Sequence, residues 1–585
     1  MSSVLQDNSW SARKTRRMNR FHAWRASLTR PATGFQSQPE PKTIGSFARG
    51  RQLIAGNFLF AGYLVEAPKT SIWDLGAPGP GFDEELHGFS WLDDLAAVGD
   101  MAAQARAQDW MRQWMERFAT GKGVGWTPDL TGRRLIRWIN HALFFLSGQS
   151  SETSDAFYRT LAQQTLFLSR RWRVASSGLP RFEALAGLIY AGLALRGMEK
   201  HIASAIKALA VDCATQIDGA GGLPTRNPEE LLEVFTLLNW VTMALSEAGR
   251  IADPDILAAI ARIAPALRAL RHADGGLARF HGGGRGMDGR LDHALANAGV
   301  KPKDHGALSM GYLRLSAGRT TVIVDAASPP PLDASYNAHA STLAFEMTSG
   351  RRPVIVSCGS GVHFGEEWRR AGRATPSHST LGIEGFSSSR LGPRRNIGGH
   401  ERELLVDVPD DVRVEAHRSE EGAGFVGGHN GYLPTHGLTH IRQLDLSGDG
   451  RGIVGEDTLA TITNTDERIF DAAMDRSTLQ GIPFHVRFHL HPDVEATLDM
   501  GDTAVSMALK SGEIWVFRHD GRAKLSLQRS VYLEKGRLKP RATKQVVLSA
   551  VAMDYATRVR WTLAKATETP TALRDFEMDD SATPD

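Results

Sequence analysis

Apolar positions recur every three or four residues through the first half of the chain, then give way to short runs in which they alternate. From about residue 90, Leu92, Leu95, Ala96 and Val98 begin an amphipathic stretch. Leu135, Ile136, Trp138 and Ile139 continue it, followed by Phe182, Leu185, Leu188, Ile189 and Leu193, then Leu231, Val234, Phe235, Leu237, Leu238 and Val241. That spacing predicts helices. Turns bearing Gly and Pro separate them, at Ser177 to Pro180, Asp218 to Pro224 and Asp274 to Gly276. Hairpins of this kind cover their apolar faces only by stacking on one another, so the expected architecture is an α/α toroid.

The pattern changes after the Gly-rich segment His281 to Gly289 and the turn Lys301-Pro302-Lys303. Thr320 to Val324, Val354 to Val356, Leu404 to Val406, Ile514 to Phe517 and Val546 to Leu548 are short, β-branched or aromatic runs between Gly, Asp and Pro turns. They predict an antiparallel β-sandwich or larger stacked sheets. Helix first and strand later gives an α+β multidomain chain. The expected divisions are a basic arm at 1–50, the toroid at 51–300, the sandwich at 301–565 and a fraying tail, rich in Thr, Asp and Pro, at 566–585.

Composition narrows this further. At 585 residues the chain exceeds what one core usually organises, which supports two large domains. A hydrophobic fraction of 42% and a charged fraction of 23% are those of a globular protein, so disorder belongs to the termini. A net charge of +3 is too balanced to suggest a nucleic-acid partner, though a local basic groove remains compatible with it. Cys213 and Cys358 lie far apart and read as reduced or buried thiols.

The basic residues Arg13 to Arg17 are followed by no continuous apolar segment, so no secretory leader is visible and a cytoplasmic location is expected. No run of about twenty apolar residues occurs, and no transmembrane span is expected. Residues 11 to 30 carry six arginines and one lysine. Such a stretch reads either as a solvated basic arm or, if helical, as a peripheral contact with anionic lipid.

Two segments carry the candidate chemistry. Tyr336-Asn337-Ala338-His339 runs on through Ala340, Ser341, Thr342, Leu343, Ala344, Phe345 and Glu346, and Arg373, Thr375, His378, Ser379 and Thr380 follow. They resemble the signature segments of the heparinase II/III C-terminal domain. Further matching pieces are His87 to Leu92, Trp126 to Trp138, Arg226 to Pro228, His429 to Tyr432 and His440 to Arg442. The resemblance covers roughly His87 to Lys544 and implies a toroid followed by a sandwich. It also implies an acidic polysaccharide as partner, β-elimination at a uronic acid, no cofactor for the chemistry, and export to the periplasm or cell envelope as the alternative location. Elimination needs a donor that neutralises the uronate carboxyl, and a base and an acid that move the C5 proton and the leaving sugar. The cleft between the two domains is the expected place for them.

The carry-over is incomplete. The family's catalytic histidine, two positions before the one matching His339, is replaced by Asn337. The segments that would bear its asparagine and tyrosine read Leu179-Pro180-Arg181-Phe182 and Asn227-Pro228-Glu229-Glu230. Tyr336 is the candidate substitute base, or else an interdomain packing residue; strand alternation would turn it to the face opposite Asn337, unless the segment is a loop. Arg226 and Asn227 either clamp a carboxylate or cap the following helix, and Arg181 has the same two readings. His281 opens a Gly-rich loop that either approaches a glycan as part of the catalytic set or serves as a hinge. Asn337 and Arg373 complete the candidate substrate contacts. The resemblance also implies a structural zinc at positions matching His339 and His378, with Cys358 in place of an expected Asp; a hydrogen-bonded histidine pair is the alternative. His485, His489 and His491 alternate along a predicted strand, as a sheet surface or a ligand cluster. A glycoside hydrolase would rest on Glu183 and Glu230. A non-catalytic glycan-binding or envelope-assembly protein on the same fold is the competing function. An acidic lining of the shared crevice would overturn the uronate-lyase reading.

Overall fold

A computed structural model describes residues 10–28, 32–37, 40–301, 308–397 and 400–566. Residues 10 to 300 are mostly helical, and the remainder is rich in antiparallel sheet. The Pro302-Lys303 turn, Arg30 and the expected tail from 567 onward lie outside the described residues.

The four apolar runs fall on the helices Trp91–Val98, Pro128–Asn140, Leu179–Ala194 and Pro228–Glu247. Proline occupies the first turn of the last three, where its missing N–H would have had no intrahelical partner. Asn227 caps the Pro228–Glu247 helix by accepting from the amides of Glu229 and Glu230.

Pro128–Asn140 and Leu179–Ala194 meet backbone to backbone. A Cβ on Gly132 would stand 2.2 Å from the Glu183 carbonyl oxygen, and one on Gly187 would stand 2.4 Å from the Gly132 α-carbon. The same helical core holds the buried indoles of Trp91, Trp110, Trp114 and Trp138, which pack on one another and on Phe89. The buried Arg134 guanidinium lies over Trp114 and donates to Gln164 and to the carbonyls of His87 and Gly125. His87 accepts from the Trp114 indole at 3.0 Å. The His87 and Trp126 to Trp138 motifs are therefore parts of the helical core.

The second half holds an eight-stranded and a nine-stranded sheet. In the larger one, Thr320–Asp325 lies between Tyr312–Ala317 and Phe345–Ser349, and both its faces are covered, Ile323 by the helical core and Val322 and Val324 by the layer between the sheets, so all six of its residues are buried. The two sheets share an apolar layer, in which Phe345 of one stacks on Trp561 of the other at 6.0 Å. The helical core also runs into the sheets: Met310, Tyr312, Ile323 and Ala344 belong to the same buried cluster as Leu277 and Phe280. No helix among the described residues is long and apolar enough to cross a membrane.

Candidate functional site

Asp325 ends its strand at the boundary between helices and sheets, completely buried. It accepts from the Arg226 guanidinium and from the Ser341 hydroxyl at 2.7 Å, and the His281 ring lies 3.4 Å away. Despite the cost of burial, Arg226 and His281 hold its carboxyl far below the ordinary range.

Arg226, in the left-handed region at φ 49°, sends its remaining donors to the carbonyls of Met310, Gly311, Ala327 and Ser328. Tyr312 donates back to the Arg226 carbonyl. The arginine thus ties the turn before a helix to the first strands of the sheet half. Asn227 beside it is the helix cap, so the structure gives Arg226 the clamping geometry and Asn227 the capping one, with protein groups as the partners of both.

His281 also has positive φ, at 46°, and is fully buried. Its Nδ1 accepts from the His339 amide at 3.1 Å, which assigns the ring proton to Nε2, facing Asp325. His339 and His378 face each other at 3.2 Å between Nδ1 and Nε2, and His378 Nδ1 lies 3.2 Å from the Ser357 hydroxyl. Burial keeps His339 neutral and pulls His378 down to about 3. Cys358 points elsewhere: its thiol is 3.5 Å from His489 Nδ1 and 3.8 Å from the Ser530 hydroxyl. Among the described residues no three His, Cys, Asp or Glu side chains are arranged to hold a metal ion. The zinc candidates are thus a histidine pair plus a separately paired thiol.

Tyr336 is not on a strand. It lies in the 3-10 turn Leu332–Asn337, so the alternation argument does not apply; the Arg402 guanidinium covers its ring at 3.9 Å, and burial pushes its phenol up to about 12. Asn337 is half-buried against Gly282, where a Cβ on the glycine would come within 2.9 Å of its own. Arg373 is buried, with Nε, Nη1 and Nη2 donating to the carbonyls of Ala338, Glu403 and Ser335. Arg181 donates to the Ala175 carbonyl and approaches Asp212 at 3.7 Å. His485 and His489 are engaged by Ser549 and Ser530, and His491 lies 3.7 Å from Asp493.

The structure adds groups that the motifs did not disclose. Arg133 pairs with both carboxylate oxygens of Glu183 at 2.9 Å, and Lys535 of the sheet half pairs with Glu229 at 2.9 Å. Glu183 and Glu230 are buried, burial being the largest influence raising both carboxyls; Asp129 raises Glu183 further, and Glu183 raises Glu230. Asp325 could have been suspected only from a charge ending an apolar run, and Arg133 lies next to Arg134 within the Trp126 to Trp138 motif, where nothing local marks its partner. Lys535 and Arg402 left no local signal, because their partners are distant in sequence.

Residues 300–562 match the model of the heparinase II/III-like C-terminal domain. The chain is also 30% identical over 565 residues to FtsZ-localized protein C of Caulobacter vibrioides, covering 93% of this chain and 92% of that one. The chain belongs to the heparinase II/III family. Among solved structures, heparinase III superposes with a TM-score of 0.67 at 13% identity, covering 96% of this chain and 93% of the other. A heparan sulfate lyase HepC mutant from Pedobacter heparinus gives 0.56 at 13%, covering 96% and 89%. At such identities the likeness is one of fold.

Proposed function

We propose that this protein keeps the toroid-and-sandwich scaffold of the polysaccharide lyases without their elimination chemistry, and serves as a non-catalytic assembly protein at the division site, on the cytoplasmic side. The observation that carries this reading is the engagement of the candidate carboxylate donors. Arg226 is held by Asp325 and four carbonyls, Arg373 by three carbonyls, and Arg181 by the Ala175 carbonyl with Asp212 nearby. A uronate entering beside them would find these guanidiniums already committed to protein acceptors, whereas elimination requires charge stabilisation where the carboxyl gathers electrons.

The proton-transfer groups point the same way. The position of the family histidine is Asn337. The substitute Tyr336 has its phenol moved away from neutrality, the wrong direction for a general base. His281 and His339 are sealed in a network that links the two halves. The name of the Caulobacter relative, FtsZ-localized, supplies the place of action in this proposal.

Two measurements test it. Incubation with heparan sulfate, chondroitin sulfate or alginate is expected to give no ultraviolet-absorbing unsaturated uronate, and its formation in proportion to the protein would overturn the non-catalytic reading. A fluorescent fusion in dividing cells of its own host is expected to gather at the constriction; uniform fluorescence would remove the division role.

A further inference from the structure

We propose that a basic groove walled by Arg314, Arg319 and Arg351 is the docking site of the acidic segment 567–585 of this same chain. The groove measures about 510 Å³ and lies where two hairpin turns of the larger sheet, Gly318-Arg319 and Gly350-Arg351, meet Ala273 from the helical half. Arg319 and Arg351 are exposed, and no Asp or Glu is among the described residues that line it. Arg314 donates to the Ala269 and Arg271 carbonyls and to the Thr321 hydroxyl, neutral acceptors that leave its charge standing. Burial and the nearby Arg271 charge disfavour its charged form, an imbalance that an arriving carboxylate relieves.

The last strand delivers the chain to the edge of this groove. Ala566 donates its amide to the Ile514 carbonyl, and its own carbonyl accepts from Arg451 at 3.0 Å. Gly450, next to Arg451, packs on the first hairpin turn: a Cβ on it would stand 2.1 Å from the Ala317 carbonyl oxygen, and the Thr320 hydroxyl donates to its carbonyl at 2.7 Å. The second turn is reached through Glu513, which accepts from Lys565 and from Ser349, the residue before Gly350. Asp449, beside Gly450, has its carboxylate engaged by the Ser447 hydroxyl and the Arg451 amide.

The residues that follow supply the matching charge. Glu568, Asp575, Glu577, Asp579, Asp580 and Asp585 are opposed only by Arg574. Asp575 follows Ala566 by nine positions. A stretch of that length reaches at most roughly 30 Å, enough to carry the acids across the groove from its edge. Tethering gives the segment an effective concentration on the order of millimolar, so exposed charge pairs that are individually weak suffice to hold it. An acidic segment of another molecule would have to compete against that concentration, which selects the chain's own as the occupant. Docked, it shields a basic face that would otherwise gather polyanions indiscriminately.

Brief trypsin digestion of the full chain tests the proposal, because Arg574 is the segment's single basic residue and release of residues 575–585 follows the undocked population. At low ionic strength that release, read by mass spectrometry, is expected to be about fivefold or more faster in Arg319→Glu/Arg351→Glu than in the wild type. Asp579→Asn/Asp580→Asn should act alike, while Arg319→Lys/Arg351→Lys, which keeps the charge, should retain the slow release. The difference between wild type and variants should vanish as salt is raised. If the glutamate pair lowers the melting temperature, the asparagine pair carries the test. Equal release from the wild type and the asparagine pair at low ionic strength would overturn the proposal, as would protection that grows with protein concentration, the mark of a segment held in a neighbour's groove.

Discussion

Arg226 and Asp325 face each other across the boundary between the helical and sheet halves, guanidinium to carboxylate, with neither group open to solvent in any useful degree. The pair does not stand alone, because Ser341 and His281 converge on the same carboxylate. Removing one partner leaves the other charge buried and uncompensated, which costs more than the pair itself contributes.

Asp325→Ala is accordingly expected to lower the unfolding free energy by about 3 to 5 kcal/mol, measured by urea denaturation. The double variant with Arg226→Met should recover part of that loss. Additive losses would show that the two residues are not coupled.

Acid should destabilise the protein well above the range in which carboxylates titrate. His87 and His378 are each pulled down to about 3 by burial, and His339 and His429 are also held neutral. In the unfolded chain these rings take up protons near their ordinary value of 6.5. Between about 6.5 and 3 the unfolded state therefore binds more protons, and stability that is complete above 6.5 falls as pH is lowered, by up to about 1.4 kcal/mol per pH unit for each ring. Asp94 works against this, since burial raises it to about 6 and the folded state then takes its proton first. Glu183, Glu230, Asp83 and Asp212, also raised by burial, act in the same sense as Asp94, against the larger number of histidines that burial lowers. The melting temperature is expected to drop between pH 7 and pH 5; a rise would mean that raised carboxyls outweigh the histidines.

The backbone contact between Gly132 and Gly187 leaves no room for a methyl group. Gly187→Ala should cost roughly 1 to 3 kcal/mol by forcing the Pro128–Asn140 and Leu179–Ala194 helices apart, seen as a lower urea midpoint with an unchanged slope. An unaltered midpoint would mean that the crossing can spread freely.

Zinc offers a direct check on the histidine pair. With Cys358 turned to His489, titration of the protein with zinc is expected to leave its melting temperature within a degree or so, and chelator should have no effect. A chelator-reversible rise of several degrees would show that His339, His378 and a third ligand close around the ion.

The helices and several strands were legible because burial imposes its own period: Leu231 to Val241 could be covered only as a helix, and Thr320 to Val324 fits a sheet interior. The Tyr336 segment stayed open between strand and loop because alternation is informative only on a strand, and a tight 3-10 turn follows Pro331 there. Arg373 and Arg226 resembled substrate clamps for a simple reason. A guanidinium that binds a sugar acid and one that gathers carbonyl oxygens from distant loops are the same residue in a sequence, and only the fold reveals which acceptors arrive.

The run of buried side chains from Phe280 through Tyr312 to Ile323 binds the fates of the two halves together. Cutting the polypeptide near residue 300 would expose an oily seam on each fragment, so neither piece is expected to remain monomeric in dilute buffer. The intact molecule should lose its helices and its sheets in a single calorimetric event.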